Sequence, residues 1–191
     1  MWTALNVFAL VGWLALGARL CIVCRQDSVD VWSAAYIAPS VYLLEFLCCL
    51  EVGRIAVGSL KGNLGLGIAI HYIRCFVMAV IFPLTGTHVA CRVALFAWVL
   101  TEVCRYPYYI FGGRIAGVLR YLTPLATFPM GAGAEAYACT VAMESLDGAL
   151  KVLAALQVAV NIFGGAYGWV LMLKRSQREL SSTKKQSDKK R

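Results

Sequence analysis

The sequence is built from apolar runs about as long as a bilayer is thick, separated by short polar or glycine- and proline-bearing breaks. At about 1.5 Å per residue, a hydrocarbon core of about 30 Å takes about 20 helical residues. Lipid also offers the backbone no hydrogen bonds, so such runs fold as helices that satisfy themselves. The runs extend from Trp2 to about Cys24, Val31 to Leu50, Leu64 to Phe82, Ala90 to Phe111, Val118 to Met143 and Leu150 to Leu173. The expected fold is therefore an all-α integral membrane protein, a six-transmembrane-helix bundle over residues 1–173. Composition agrees: 60% of the residues are hydrophobic and 15% charged, against about 45–50% and 25% in a soluble domain. With 191 residues, six spans leave no room for a separate soluble domain.

Charge sets the expected orientation. Residues 174–191 hold eight of the 18 Lys and Arg residues against only Glu179 and Asp188, and they directly follow the last apolar run. That is the pattern of a cytosolic end, and the segment reads as a basic cytosolic tail, disordered and able to touch anionic lipid. Six spans put both termini on that side, with Arg54, Lys61, Arg114 and Arg120 in or near cytosolic loops. Arg19, Arg25 and Arg92 fall on the opposite side. No basic-aromatic interleaving accompanies the tail, so a nucleic-acid partner is not expected. The first run has no positive segment before it and is long enough to span, so it reads as a helix rather than a cleaved signal.

The eight cysteines lie mostly within apolar stretches and read as small buried hydrophobes. Cys21 and Cys24 have CxxC spacing without a second ligand pair. No metal and no cofactor are expected.

Ionisable residues inside spans are expensive and point to function when a partner can be named. Glu45, Glu102, Arg105 and Glu135 qualify. Glu102 and Arg105 lie three apart and can pair on one helix face, either as a structural ion pair or as a substrate contact. Glu45 has no neighbour of opposite charge and should meet another helix, with Arg74 a candidate; His71 reads as a satisfied core group. Glu135 has no basic residue within a dozen positions on either side. It reads either as a desolvated general acid or base suited to near-neutral pH, or as a wet carboxyl at the lumenal end of a tilted helix.

Several of these residues fall in a recognisable pattern. Trp98, Glu102, Arg105, Tyr106, Tyr108 and Tyr109 are similar to the W-S-x-x-E-x-x-R-Y-x-Y-Y signature of the 3-hydroxyacyl-CoA dehydratases, also called the protein tyrosine phosphatase-like A family. Leu119-Arg120-Tyr121 and the stretch Phe128-Pro129-Met-Gly131-Ala-Gly-Ala-Glu135 resemble that family's L-R-Y and Y-P-x-G-x-x-x-E. Leu5-Asn6, Gly12-Trp13 and Leu43-Leu44-Glu45 resemble its Y-N, G-W and L-L-E, with Cys48 where the last motif continues to His. The resemblance implies a lyase of fatty acid elongation in the endoplasmic reticulum membrane, acting on a very-long-chain (3R)-3-hydroxyacyl-CoA to give the trans-2-enoyl thioester. It implies elongase and reductase enzymes as further partners. Glu135 would be catalytic, and Tyr121, Arg120, Gly131, Glu102, Arg105, Tyr106 and Arg114 would bind substrate. Arg114, Arg120 and Lys61 would either meet the CoA phosphates or anchor topology.

One departure from the family falls at a costly place. An active-site Tyr stands seven residues before the Glu in family members, and here that position is Phe128. Seven residues are about two turns and about 10 Å, so both side chains share a face, but a phenyl ring has no proton to give. Tyr121 lies a further seven residues back, and Tyr106, Tyr108, Tyr109 and Tyr137 are other possible donors. The readings that follow are a dehydratase with Glu135 essential, a catalytically weak scaffold subunit of the elongation complex, or, from the buried charges alone, a small transporter.

Overall fold

The computed structural model describes residues 2–26, 29–34, 36–60 and 62–188, with side chains up to residue 178 except residue 175. Lys61 lies outside the described residues. The described chain is helical, without strands, and forms six continuous rods. These are α1 (Trp2–Val23), α2 (Ile37–Ala56), α3 (Leu64–Phe76, continued through Val77–Ile81 and Phe82–Thr85), α4 (Val89–Phe111), α5 (Arg114–Ala142) and α6 (Gly148–Ala159, continued through Val160–Gly164 and Gly165–Asp188). Three of them, α1, α3 and α6, are long and apolar enough to cross a membrane. The other three have 20 to 29 residues, and each carries three Asp, Glu, Lys or Arg residues.

The boundaries differ from the sequence expectation where tertiary contacts decide them. The second helix starts at Ile37 rather than Val31. Pro39 therefore stands in its first turn, where the missing N–H would be unpaired in any case. Residues 31–34 form a separate turn, held by the Val31 amide on the Gly86 carbonyl at 2.9 Å and by the Ser33 hydroxyl on Asp30 at 2.6 Å. At its other end α2 runs on through Glu51-Val-Gly-Arg54, which the sequence presents as a loop, because Glu51 is buried against Arg105.

Proline breaks fewer helices than expected. Pro83 does not end α3; the wide π-helical turn Val77–Ile81 lies where the Pro83 ring would otherwise strike the carbonyl four residues back. The fifth span is continuous rather than broken, with Pro124 and Pro129 inside it. Pro129 frees the Leu125 carbonyl, and Trp169 Nε1 of α6 donates to that carbonyl at 2.8 Å. One turn nearer the start of α5, the Ser176 hydroxyl donates to the Tyr121 carbonyl at 3.0 Å. The sixth helix passes residue 173 and stays helical to Asp188, across the expected start of the tail.

Packing centres on α4. Gly112 and Gly113, both at positive φ (65° and 84°), make the whole turn between α4 and α5, a conformation that side chains with a Cβ rarely adopt. The hairpin closes over small residues, with Ala90, Ala94 and Ala97 buried on one arm and Gly131, Ala134 and Ala138 buried on the other. A Cβ on Gly131 would lie 3.3 Å from that of Ala97. Such stripes let helices approach closely in lipid. Trp13, Leu16 and Leu20 of α1 and Val41, Leu44 and Leu47 of α2 complete the core. Arg92, on the side where arginine was not expected, donates to the Gln26 and Val29 carbonyls at 3.1 Å each and ties down the loop after α1. Arg19 stacks on Tyr36.

Candidate active site

Five charged residues from three helices form a chain between α2, α3 and α4. Glu45 of α2 is hydrogen-bonded to His71 Nδ1 and lies 3.4 Å from Arg74 of α3. Arg74 also donates to Glu102 Oε1 of α4 at 3.0 Å. Glu102 pairs through its other oxygen with Arg105 at 2.6 Å, and Arg105 reaches Glu51 at 3.2 Å. The Glu102–Arg105 pair and the Glu45–Arg74 contact are those expected from the sequence. His71 is the satisfied core group that the sequence suggests, buried with Glu45 as its partner.

A cavity of about 500 Å³ opens beside this chain and runs between α3, α4, α5 and α6. Arg120, Tyr121 and Tyr109 line one end and Glu135 the other, with Phe128 and Gly131 between them. On α5 the fifteen residues from Arg120 to Glu135 span about 22 Å. At the outer end Arg120 donates to the Tyr109 hydroxyl at 3.2 Å and lies over the rings of Tyr108 and Tyr109, 4.7 Å from each. Midway, the Thr101 and Thr127 hydroxyls meet at 2.6 Å.

Glu135 is 5% exposed. Trp98 Nε1 donates to its Oε1 at 2.7 Å, a charge-assisted bond that fixes where the carboxyl points. The Trp98 ring is itself held, 5.0 Å below the Arg74 guanidinium and 5.4 Å from the Phe82 ring. Glu135 has no basic neighbour in sequence, yet Arg74 reaches its surroundings from α3. The carboxyl is buried, so the reading of it as a wet group at a helix end is corrected: α5 continues beyond it to Ala142.

The stretch of sequence that supplies these residues matches one protein family. The profile of the protein tyrosine phosphatase-like protein family, PTPLA, matches residues 45–175, about two-thirds of the chain. The chain belongs to this family, the 3-hydroxyacyl-CoA dehydratases. No curated protein and no solved structure gives a significant match.

The candidate dehydratase residues divide by position. Glu135, Tyr121, Arg120, Gly131, Glu102, Arg105 and Phe128 all line the cavity. Tyr106 does not: it is buried against Cys48, its hydroxyl 3.6 Å from the sulfur, and receives a bond from Arg105 at 3.4 Å. Arg114 is exposed at the start of α5, outside the cavity wall. Tyr121 shares the cavity with Glu135, but fourteen residues put it about 21 Å away along the helix. Tyr137 is exposed and packs against His88, and Tyr108 lies off the cavity. None of these phenols is brought to the Glu135 end. Phe128 instead presses its ring tip on α6, where a Cβ on Gly168 would lie 3.2 Å from Cζ.

Two site residues escape a reading of the sequence. Trp98 is visible as a signature residue but not as the donor to Glu135, 37 positions away. Asn161 lines the cavity from α6 and sits beside the Glu135 carboxyl; the one signal for it is a lone amide in an apolar run.

Proposed function

We propose that the protein eliminates water from a long-chain (3R)-3-hydroxyacyl-CoA, with Glu135 as the group that moves the proton. The observation that carries this reading is the Glu135 carboxyl itself, buried at the inner end of the cavity and aimed by Trp98. Elimination needs a proton taken from C2 and a proton given to the oxygen leaving C3. C2 and C3 are bonded neighbours, so one carboxyl can serve both. The Glu135 carboxylate takes the C2 proton, and the electron pair of that C–H bond, shared on the way with the thioester carbonyl oxygen, becomes the C2–C3 double bond. The C3–O bond breaks, and the same proton passes to the departing oxygen as water. The carboxylate is regenerated and no further reactant is consumed. This route needs no phenol at position 128.

The cavity suits such a substrate in sections. Arg120 at the outer end offers a planar donor fork to a CoA phosphate, while Arg114 meets only what lies outside. A volume of about 500 Å³ suits a drug-sized portion of a ligand, so the acyl tail runs out between apolar helices toward lipid. With this reading go six membrane crossings, cytosolic termini, the endoplasmic reticulum membrane and elongase and reductase partners.

The test is conversion of a long-chain 3-hydroxyacyl-CoA to the 2-enoyl product by purified wild type and Glu135→Ala. Wild type is expected to turn over and the variant to fall to background; equal rates overturn the reading. Phe128 favours a second reading, a non-catalytic subunit of the elongation complex. Large activity in Phe128→Tyr over a wild type with almost none decides for that reading.

A further inference from the structure

The wall of the cavity at Glu135 is completed by α6, which runs antiparallel to α5. Phe128 lies against Gly168, Ala132 against Gly165, and Glu135 beside Asn161. The two glycines let the helices approach closely at the first two of these levels. Asn161 belongs to the π-helical turn Val160–Gly164, a local widening that recurs at functional sites. It is 7% exposed; its Nδ2 makes no hydrogen bond of full geometry among the described residues, but it lies close enough to the Glu135 carboxyl to interact with it. Nearly all buried amide donors are satisfied, and one that is not calls for an explanation. Gln157, one turn earlier, is also buried with an unpaired Nε2, but it does not line the cavity. Asn161 does, and an amide nitrogen carries two protons, so with the Glu135 carboxyl beside one of them a ligand in the cavity can accept from the other.

We propose that Asn161 is a substrate-binding residue whose Nδ2 donates to the thioester carbonyl oxygen of the acyl group while Glu135 acts on C2 and C3. The assignment rests on the dehydratase reading above. Removing the C2 proton sends negative charge onto that carbonyl oxygen, one carbon away from the base. A donor already fixed there binds the transition state more tightly than the ground state. An amide has no proton to transfer at neutral pH, so Asn161 leaves both transfers to Glu135.

Two measurements on the purified full-length chain test the proposal. The first compares binding of a long-chain acyl-CoA thioester with its thioether analogue, in which a methylene replaces the carbonyl. Wild type is expected to prefer the thioester about tenfold, the size of one buried hydrogen bond, and Asn161→Leu is expected to bind both equally. Asn161→Asp keeps the shape but puts an acceptor where the donor was, and must lose the preference too. A folded variant of either kind that keeps the preference, or a wild type that has none, overturns the proposal. The second measurement is turnover. Asn161→Leu is expected to lower kcat about 10²- to 10³-fold with a much smaller change in KM, and a change confined to KM overturns the transition-state role. A wild type that discriminates the analogues but turns nothing over refutes the dehydratase reading and leaves the Asn161 contact standing.

Discussion

Replacing Glu102 by Gln removes the charge that joins Arg74 to Arg105. Glu102 receives 3.0 Å and 2.6 Å contacts on its two oxygens, and its side chain is 3% exposed. Gln keeps the shape but can accept from one guanidinium only, and its NH₂ faces the other. Removing one partner of a buried pair costs about 3–5 kcal/mol, because a charge is left uncompensated. Here Arg74 retains Glu45 at 3.4 Å and Arg105 retains Glu51 at 3.2 Å, which puts the expected loss at the lower end, about 3 kcal/mol. For a chain of this size that lowers Tm by roughly 6–12 °C, read by thermal unfolding of the detergent-solubilised protein. Arg105→Met alone should also destabilise. The double variant should lose less than the sum, with a coupling of about 1–3 kcal/mol. A Glu102→Gln Tm within about 2 °C of wild type, or a strictly additive double variant, would refute the claim that these charges hold α3 to α4.

Two further substitutions probe single hydrogen bonds. Trp98→Phe keeps an aromatic ring against Phe82 and Arg74 but withdraws the donor to Glu135. A bond to a charged group is worth about 1.5–3 kcal/mol, so kcat should fall about 10- to 100-fold, and an unchanged kcat would show that Glu135 does not depend on Trp98 for its aim. Trp169→Phe leaves the Leu125 carbonyl, freed by Pro129, without its donor in a setting where lipid offers none, and should cost about 1–3 kcal/mol in thermal unfolding. In a Pro129→Ala background the helix regains its own amide for that carbonyl. The cost of Trp169→Phe should then largely vanish, and an undiminished cost would place the role of Trp169 elsewhere.

The helices legible in the sequence were those whose boundaries are purely a matter of apolar length. The first run matches α1 within a residue, and the fourth matches α4 equally closely. The second is displaced by six residues at each end, because hydropathy cannot register that Glu51 is neutralised by Arg105 from another helix. Pro129 misled in the same way: the carbonyl it frees in α5 is satisfied by a tryptophan forty residues later. Within the site, the Glu102–Arg105 pair follows from helical spacing, and Glu135 from a run of small residues around a lone acid. The donor to that acid, the neighbouring amide and the seat of Phe128 on Gly168 all arise where helices meet, and no spacing along one helix encodes them.

The two-glycine turn between α4 and α5 has a consequence for the order of assembly. Trp98 and Glu135 sit on the arms of one hairpin, so their contact needs nothing made after residue 142. Chains emerge amino end first, and early units fold while later ones are still being made. The acid and its indole can thus be in place before α6 exists. Asn161 and the Trp169 clamp then arrive together, as the last helix closes over a carboxyl that is already set.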